Sequence, residues 1–201
     1  MQPPDTEPIT TPSPRRASIA PAHSFYPWLE TDNASAPPAA GKSMHVNIGE
    51  LKIGSRCDQL QALLGSCVGI GFIWRKRGRC GLAHCLLPES PTPLADLSAR
   101  YVSHAVPSLL RLIGATEADY ADIEVIVAGG STMLDACSAR LQIGQQNIDA
   151  AQKYLRQAGL NVQYCRVSGK TGRKLSIDCA TFTYQVSDIQ KTARDVQHAY
   201  A

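Results

Sequence analysis

The segment 44–54, "MHVNIGELKIG", alternates apolar and polar residues, the period of a half-buried strand. Residues 68–74, "VGIGFIW", are apolar and rich in β-branched and aromatic side chains, and a second run of strand character covers 79–87. The polar residues 75–78 between them predict a tight turn, and so a hairpin. Pro88, Pro91 and Pro93 end it. Over 95–113 the period changes: Val102, Val106, Leu109, Leu110 and Ile113 share one helical face, and Pro107 inside the pattern predicts a kink or break. "IEVIVAGG", 123–130, predicts a short buried strand stopped by a glycine pair. Asn147 is placed to cap a helix running to Ala158, with Gly159 just past its end. Three strands are expected at 160–167, 174–179 and 181–186. The pattern predicts an α+β fold: a single domain with a largely antiparallel β-sheet packed with two main helices.

Residues 1–43 hold most of the chain's 13 prolines, with much Ser, Thr and Ala. Such a segment buries too little apolar surface to offset its ordering entropy, so a disordered N-terminal tail is expected, followed by a folded domain over 44–187 and a polar extension over 188–201. Within the tail, "HSFYPWLE", 23–30, is a lone aromatic cluster. The 201 residues include 20 Lys and Arg against 17 Asp and Glu, for a net charge of +3. That bias is too weak to argue for a nucleic-acid partner, and the run Arg75, Lys76, Arg77, Arg79 reads as a solvated hairpin tip. Seven cysteines, an odd number without a C-x-x-C or any zinc-like Cys/His spacing, argue against a disulfide framework and for a reducing cytoplasm, with no metal implied. The N-terminal stretch lacks the pattern of a secretory signal, and no apolar run is long enough to insert in a membrane.

Two motifs invite a functional reading and fail it. "SGKT", 168–171, resembles the end of a phosphate-binding loop, but position 164 is Tyr where that loop needs Gly, and a strand rather than a helix is expected to follow. "AGGSTM", 128–133, a strand followed by Gly-Gly, is compatible with an anion site, but a tight turn is the commoner use of such a pair.

The hairpin carries the more informative pair. In a regular hairpin with an even-numbered loop, residues whose numbers sum to an odd constant lie on one face, so Cys67 and His84 share a face. If Arg75 pairs with Gly78, Cys67 faces Leu86 and His84 is its diagonal neighbour, about 7–8 Å away at Cα. Gly65 and Ser66 precede Cys67, so the backbone there can approach a substrate closely. Cys80 and Cys85 lack that entry, and Cys80 is read as facing away. The alternative stands beside this: a buried Cys packs as a small hydrophobe, and a His on a strand is commonly a core residue.

"LGSCVGI" followed by "GLAHCLLP", with His 17 residues after Cys, resembles the chemoreceptor glutamine deamidase family, CheD. "GE" at 49–50, "AGGSTML" at 128–134, "IGQQNIDAAQKYL" at 143–155 and "GRK" at 172–174 extend the resemblance over about residues 45–186. It implies hydrolysis of selected glutamine side-chain amides on methyl-accepting chemotaxis receptors, with Cys67 as nucleophile, His84 as general base and acid, and no cofactor. Backbone N–H groups around Gly65, Ser66 and Cys67 are the expected oxyanion donors. The family pattern places a Thr six residues before the Cys as third member of a triad; here Gln61 stands there, a longer amide whose oxygen can still accept an imidazole N–H. The family also implies a CheC-type phosphatase as a partner. Two other functions remain open on the residues: a weak or inactive adaptor that binds receptors or that phosphatase, and a thiol hydrolase acting on a small amide.

Overall fold

The computed structural model describes residues 41–132 and 142–189; the chain divides into Met1–Ala36 and Pro37–Ala201, and every described residue belongs to the second unit. The tail expected at 1–43 lies outside the described residues up to position 40, and the extension at 188–201 does so from position 190.

The described elements are β1 (Ser43–His45), β2 (Leu51–Gly54), β3 (Gln59–Leu64), β4 (Val68–Trp74), β5 (Arg79–Cys85), α1 (Val102–Ile113), β6 (Glu124–Gly129), α2 (Ile143–Gln157), β7 (Val162–Val167), β8 (Arg173–Asp178) and β9 (Thr183–Asp188). They form two sheets rather than one, ordered β2-β5-β4-β6-β7 and β1-β3-β8-β9. Most pairs are antiparallel, as expected, but β1 runs parallel to β3 and β6 parallel to β7.

The five-stranded sheet is the middle layer. Val68, Ile70, Phe72 and Trp74 of β4 pack with Val102, Val106 and Leu109 of α1 and Ile148, Ala151 and Leu155 of α2. On the opposite face Ile73, Cys80, Leu82, Ile126 and Ala128 meet Leu60, Ala62, Leu64, Leu175 and Ile177 of the second sheet. A sheet covered on both faces needs apolar residues at every position, which is why β4 is a continuous apolar run and is buried throughout.

Four elements differ from the sequence expectation. The alternating segment 44–54 is cut into β1 and β2, which join different sheets, by a turn in which the Glu50 N–H donates to the Asn47 carbonyl (3.0 Å) and the Asn47 N–H to the Glu50 carboxylate (3.1 Å). β3 was not anticipated, although Leu60, Ala62 and Leu64 point inward with the period of a strand. α1 begins at Val102 instead of 95, where the Val102 N–H donates to the Leu87 carbonyl (2.9 Å), and it continues through Pro107 as one helix. Pro107 lacks the N–H that would bond the Ser103 carbonyl, so the helix continues at the loss of that one intrahelical bond. α2 begins at Ile143, so Asn147 lies inside it instead of capping it, while Gly159 is left-handed just past its end (φ +71°), as expected.

Candidate active site

The β4–β5 ladder pairs Trp74 with Arg79 and Gly69 with His84, the register expected from the turn. Extended past β4, the same register sets Cys67 opposite Leu86, with His84 diagonal to it. Arg75 to Arg77 form a 3₁₀ turn closed by left-handed Gly78. Cys67 packs with Val46, Leu64 and the other residues between the two sheets, and His84 hydrogen-bonds to Val46, so both side chains do share that face. They are 6% and 3% exposed.

A loop of three residues, Gly65 to Cys67, joins β3 to β4, and its three carbonyls are all held. The Ser131 N–H donates to the Gly65 oxygen (2.8 Å), the Gly130 N–H donates to the Cys67 oxygen (2.8 Å), and the Asn147 Nδ2 donates to the Ser66 oxygen (3.1 Å). The glycine pair of "AGGS" therefore has a specific task. Gly129 and Gly130 both have positive φ, +103° and +64°, and a Cβ on Gly129 would stand 2.3 Å from the Cys67 carbonyl oxygen. Only glycine lets this turn pass that close beneath the Cys67 loop. The Arg173 Nη1 supports the turn from behind, donating to the Gly129 carbonyl (3.3 Å).

The carbonyl directions fix the amides. In a planar trans peptide the N–H points opposite to the C=O of the same unit. Holding the Gly65 and Ser66 carbonyls thus aims the Ser66 and Cys67 N–H groups away from those partners, and neither N–H meets a backbone acceptor among the described residues.

His84 is oriented by main chain. Its Nδ1 lies 3.1 Å from the Val46 carbonyl oxygen, which can only accept, so Nδ1 carries the proton and Nε2 the lone pair. Nε2 is buried and has no hydrogen-bond partner among the described residues. Burial holds the imidazole below its ordinary value of 6.5, the Val46 carbonyl opposing and the nearby His45 adding to the effect. Burial raises the Cys67 thiol, while its own backbone N–H pulls the other way. Both shifts favour the neutral forms, thiol and imidazole, at neutral pH.

The side chain of Gln61 is not brought to the imidazole. Its Nε2 donates to Ser43 Oγ (3.1 Å), because inward-facing Leu60 and Ala62 turn Gln61 to the other face of β3. Its main chain does connect: the Gln61 carbonyl accepts the Val46 N–H (2.8 Å), and the Val46 carbonyl in turn receives His84 Nδ1. Sequence reasoning missed Val46, whose contribution is a carbonyl that any residue would carry. It also missed Asn147, a wholly buried polar residue on an otherwise apolar helix face.

The other singled-out residues have structural roles here. Arg75 pairs with Glu124 (2.6 Å), Lys76 with Asp122 (2.7 Å), and Arg77 lies over the Trp74 ring. β8, not a helix, follows "SGKT". Cys80 shares the face of Cys67 and His84, correcting the expectation that it points away, since residues four apart on one strand lie on the same side. Among the described residues no group of three or more His, Cys, Asp or Glu converges as metal ligands would, and no helix is long and apolar enough to cross a membrane.

Fold and site together define a small α+β domain that presents a thiol on a glycine-supported loop, on the same sheet face as an imidazole with a free ring nitrogen. The family model described as CheD chemotactic sensory transduction matches residues 86–188, beginning just after His84. The chain is 38% identical over 151 residues to a protein of Bdellovibrio bacteriovorus named "Probable chemoreceptor glutamine deamidase CheD", covering 74% of this chain and 96% of that one. It is 35% identical over 167 residues to a Ruegeria protein named "Probable chemoreceptor glutamine deamidase CheD 2", covering 74% and 93%. A Methanococcus vannielii protein with the same name as the first is 33% identical over 130 residues, covering 65% and 84%. The chain belongs to the CheD family.

Proposed function

We propose that this protein is a cytoplasmic deamidase that converts glutamines of methyl-accepting chemotaxis receptors to glutamates through a thioester on Cys67. The observation that carries the reading is the buried, unpartnered Nε2 of His84, with its tautomer set by Val46, on the face that holds Cys67. The names of the relatives supply the substrate class.

A neutral thiol needs a base at the moment of attack. Cys67 Sγ adds to the glutamine carbonyl carbon and its proton passes to His84 Nε2. Catalytic hydrogen bonds of this kind often close only with substrate in place. The Ser66 and Cys67 N–H groups hold the oxygen that becomes negative. The His84 imidazolium, steadied by the Val46 carbonyl, returns the proton to the leaving nitrogen and ammonia departs. Water, deprotonated by the same Nε2, then hydrolyses the thioester and frees Cys67. In this scheme the Val46 carbonyl takes the orienting role that the family's Thr suggested for Gln61.

The test is incubation of receptor cytoplasmic fragments with the protein, followed by peptide mass spectrometry for amide-to-acid conversion at glutamine. Conversion that disappears in Cys67→Ala supports the reading. Receptor binding without conversion, or binding of a CheC-type phosphatase alone, would establish the adaptor reading in its place.

A further inference from the structure

Asn147 is wholly buried inside α2, and its Nδ2 donates both hydrogens to main chain just outside the β4–β5 hairpin: to the Ser66 carbonyl before β4 (3.1 Å) and to the Leu86 carbonyl after β5 (3.0 Å). These carbonyls flank Cys67 in sequence and across the ladder. The carboxamide oxygen has no partner among the described residues. Leaving a buried amide oxygen unpaired costs stability, and an apolar side chain on this core-facing helix position would avoid that cost. The amide is therefore explained by what its donors hold and not by packing.

We propose that Asn147 is a positioning residue that builds the oxyanion hole of Cys67. The proposal rests on the thiol chemistry proposed above but not on which amide is attacked. α2 packs on one face of the central sheet, while Cys67 and His84 lie on the other. Asn147 draws the Ser66 carbonyl toward the helix layer, so the rigid Ser66–Cys67 peptide aims the Cys67 N–H toward the layer that holds the thiol. The Gly65 and Cys67 carbonyls are held by main chain from Gly130 and Ser131. The middle peptide, which carries the Cys67 N–H, depends on this one side chain, from a helix residue 81 positions after Ser66. A purely structural Asn would set the loop's stability; a positioning Asn sets the direction of one amide.

Two reactions of the same thiol separate these roles. Acylation by p-nitrophenyl acetate passes through a tetrahedral oxyanion: Sγ bonds to the acetyl carbon, the thiol proton goes to His84 Nε2, and p-nitrophenolate leaves. Alkylation by iodoacetamide displaces iodide from a saturated carbon and forms no oxyanion. Both are read on the Cys67 peptide of the full chain by mass spectrometry. In Asn147→Ala the Cys67 N–H is misaimed and not removed, so we expect acylation to slow by about tenfold or more, up to the roughly 10²–10³-fold of a donor lost outright, with alkylation and its pH profile within about twofold of wild type. Asn147→Asp keeps the shape and can donate at most one hydrogen bond, so it should fall between the two. On receptor fragments kcat should drop with KM little changed. Equal slowing of both reactions, or of neither, in a variant that melts as wild type would overturn the assignment. If wild type converts no receptor glutamine but Asn147→Ala still loses acylation selectively, the deamidase reading fails and the role of Asn147 stands.

Discussion

One face of the central sheet carries two thiol sites, and they differ in everything except the thiol. Cys67 stands on a loop at one end of the β4–β5 pair, 6% exposed, with three held carbonyls in its loop and an imidazole lone pair on its face. Cys80 lies near the hairpin turn, fully buried, against Cys179. A hydrogen bond to Cys179 and burial push the Cys80 thiol far up, so its proton stays. Cys85, on the helix-facing side, is pushed up by burial, with the nearby Cys67 adding to it. Burial of a thiol is thus common to all three and distinguishes none. What distinguishes Cys67 is the polar main chain ordered around it before any substrate arrives.

Substitution of the two thiols should break this comparison most sharply. Cys67→Ala should abolish glutamine conversion, whereas Cys80→Ala should leave the rate per folded molecule unchanged, as measured by mass spectrometry on receptor fragments. Equal loss in both variants would show that the two sites are not different in kind. Next in size is His84→Ala, for which a decrease of about 10²–10⁴-fold is expected for a positioned base. If His84 serves only the core, the melting temperature will fall and the rate per folded molecule will hold.

The pH dependence sharpens the same contrast. Because burial lowers the His84 imidazole from its ordinary value of 6.5, the base form persists further on acidification, and the rate should fall at a lower pH than for an ordinary imidazole base. Stability should follow with the same sign. Below pH 6.5 the unfolded chain binds the His84 proton more readily than the folded one, so stability is lost as pH falls through that window. His84→Gln should flatten that part of a melting-temperature profile; an unchanged profile would remove His84 as its source. Cys80→Ala should cost about 1–2 kcal/mol by denaturant unfolding, the transfer and cavity terms of a small buried group. The smallest effect is expected at Gln61. Its side chain reaches Ser43, so Gln61→Ala and Gln61→Thr should each stay within about twofold of the wild-type rate. A large loss in Gln61→Ala would return the amide to the site.

Much of the hairpin was legible in the sequence because its signals are local. The apolar run, the basic turn and the period of two set the register, and the register alone put Cys67 and His84 on one face. β3 was less legible: its inward residues alternate, yet they sit in a longer uncharged run that blurs the period. The split between β1 and β2 was invisible to periodicity, because each half alternates correctly and only the destination sheet differs. Asn147 shows the same limit from another side. Its helix was readable, but as a cap residue it was given the commonest local role of an Asn, and its actual partners lie 81 and 61 positions away.

The sequence by itself determined which residues have reactive chemistry and which local element each occupies, since side-chain type and short-range period are written in consecutive positions. Only the tertiary structure decided which polar groups those residues meet. The orienting partner of His84 is a main-chain carbonyl brought from β1's end, and the Cys67 loop is held by a glycine turn and a helix that follow it by more than sixty residues. Carbonyls and amides are the same at every position. Their directions are fixed only when the sheets and helices close around them.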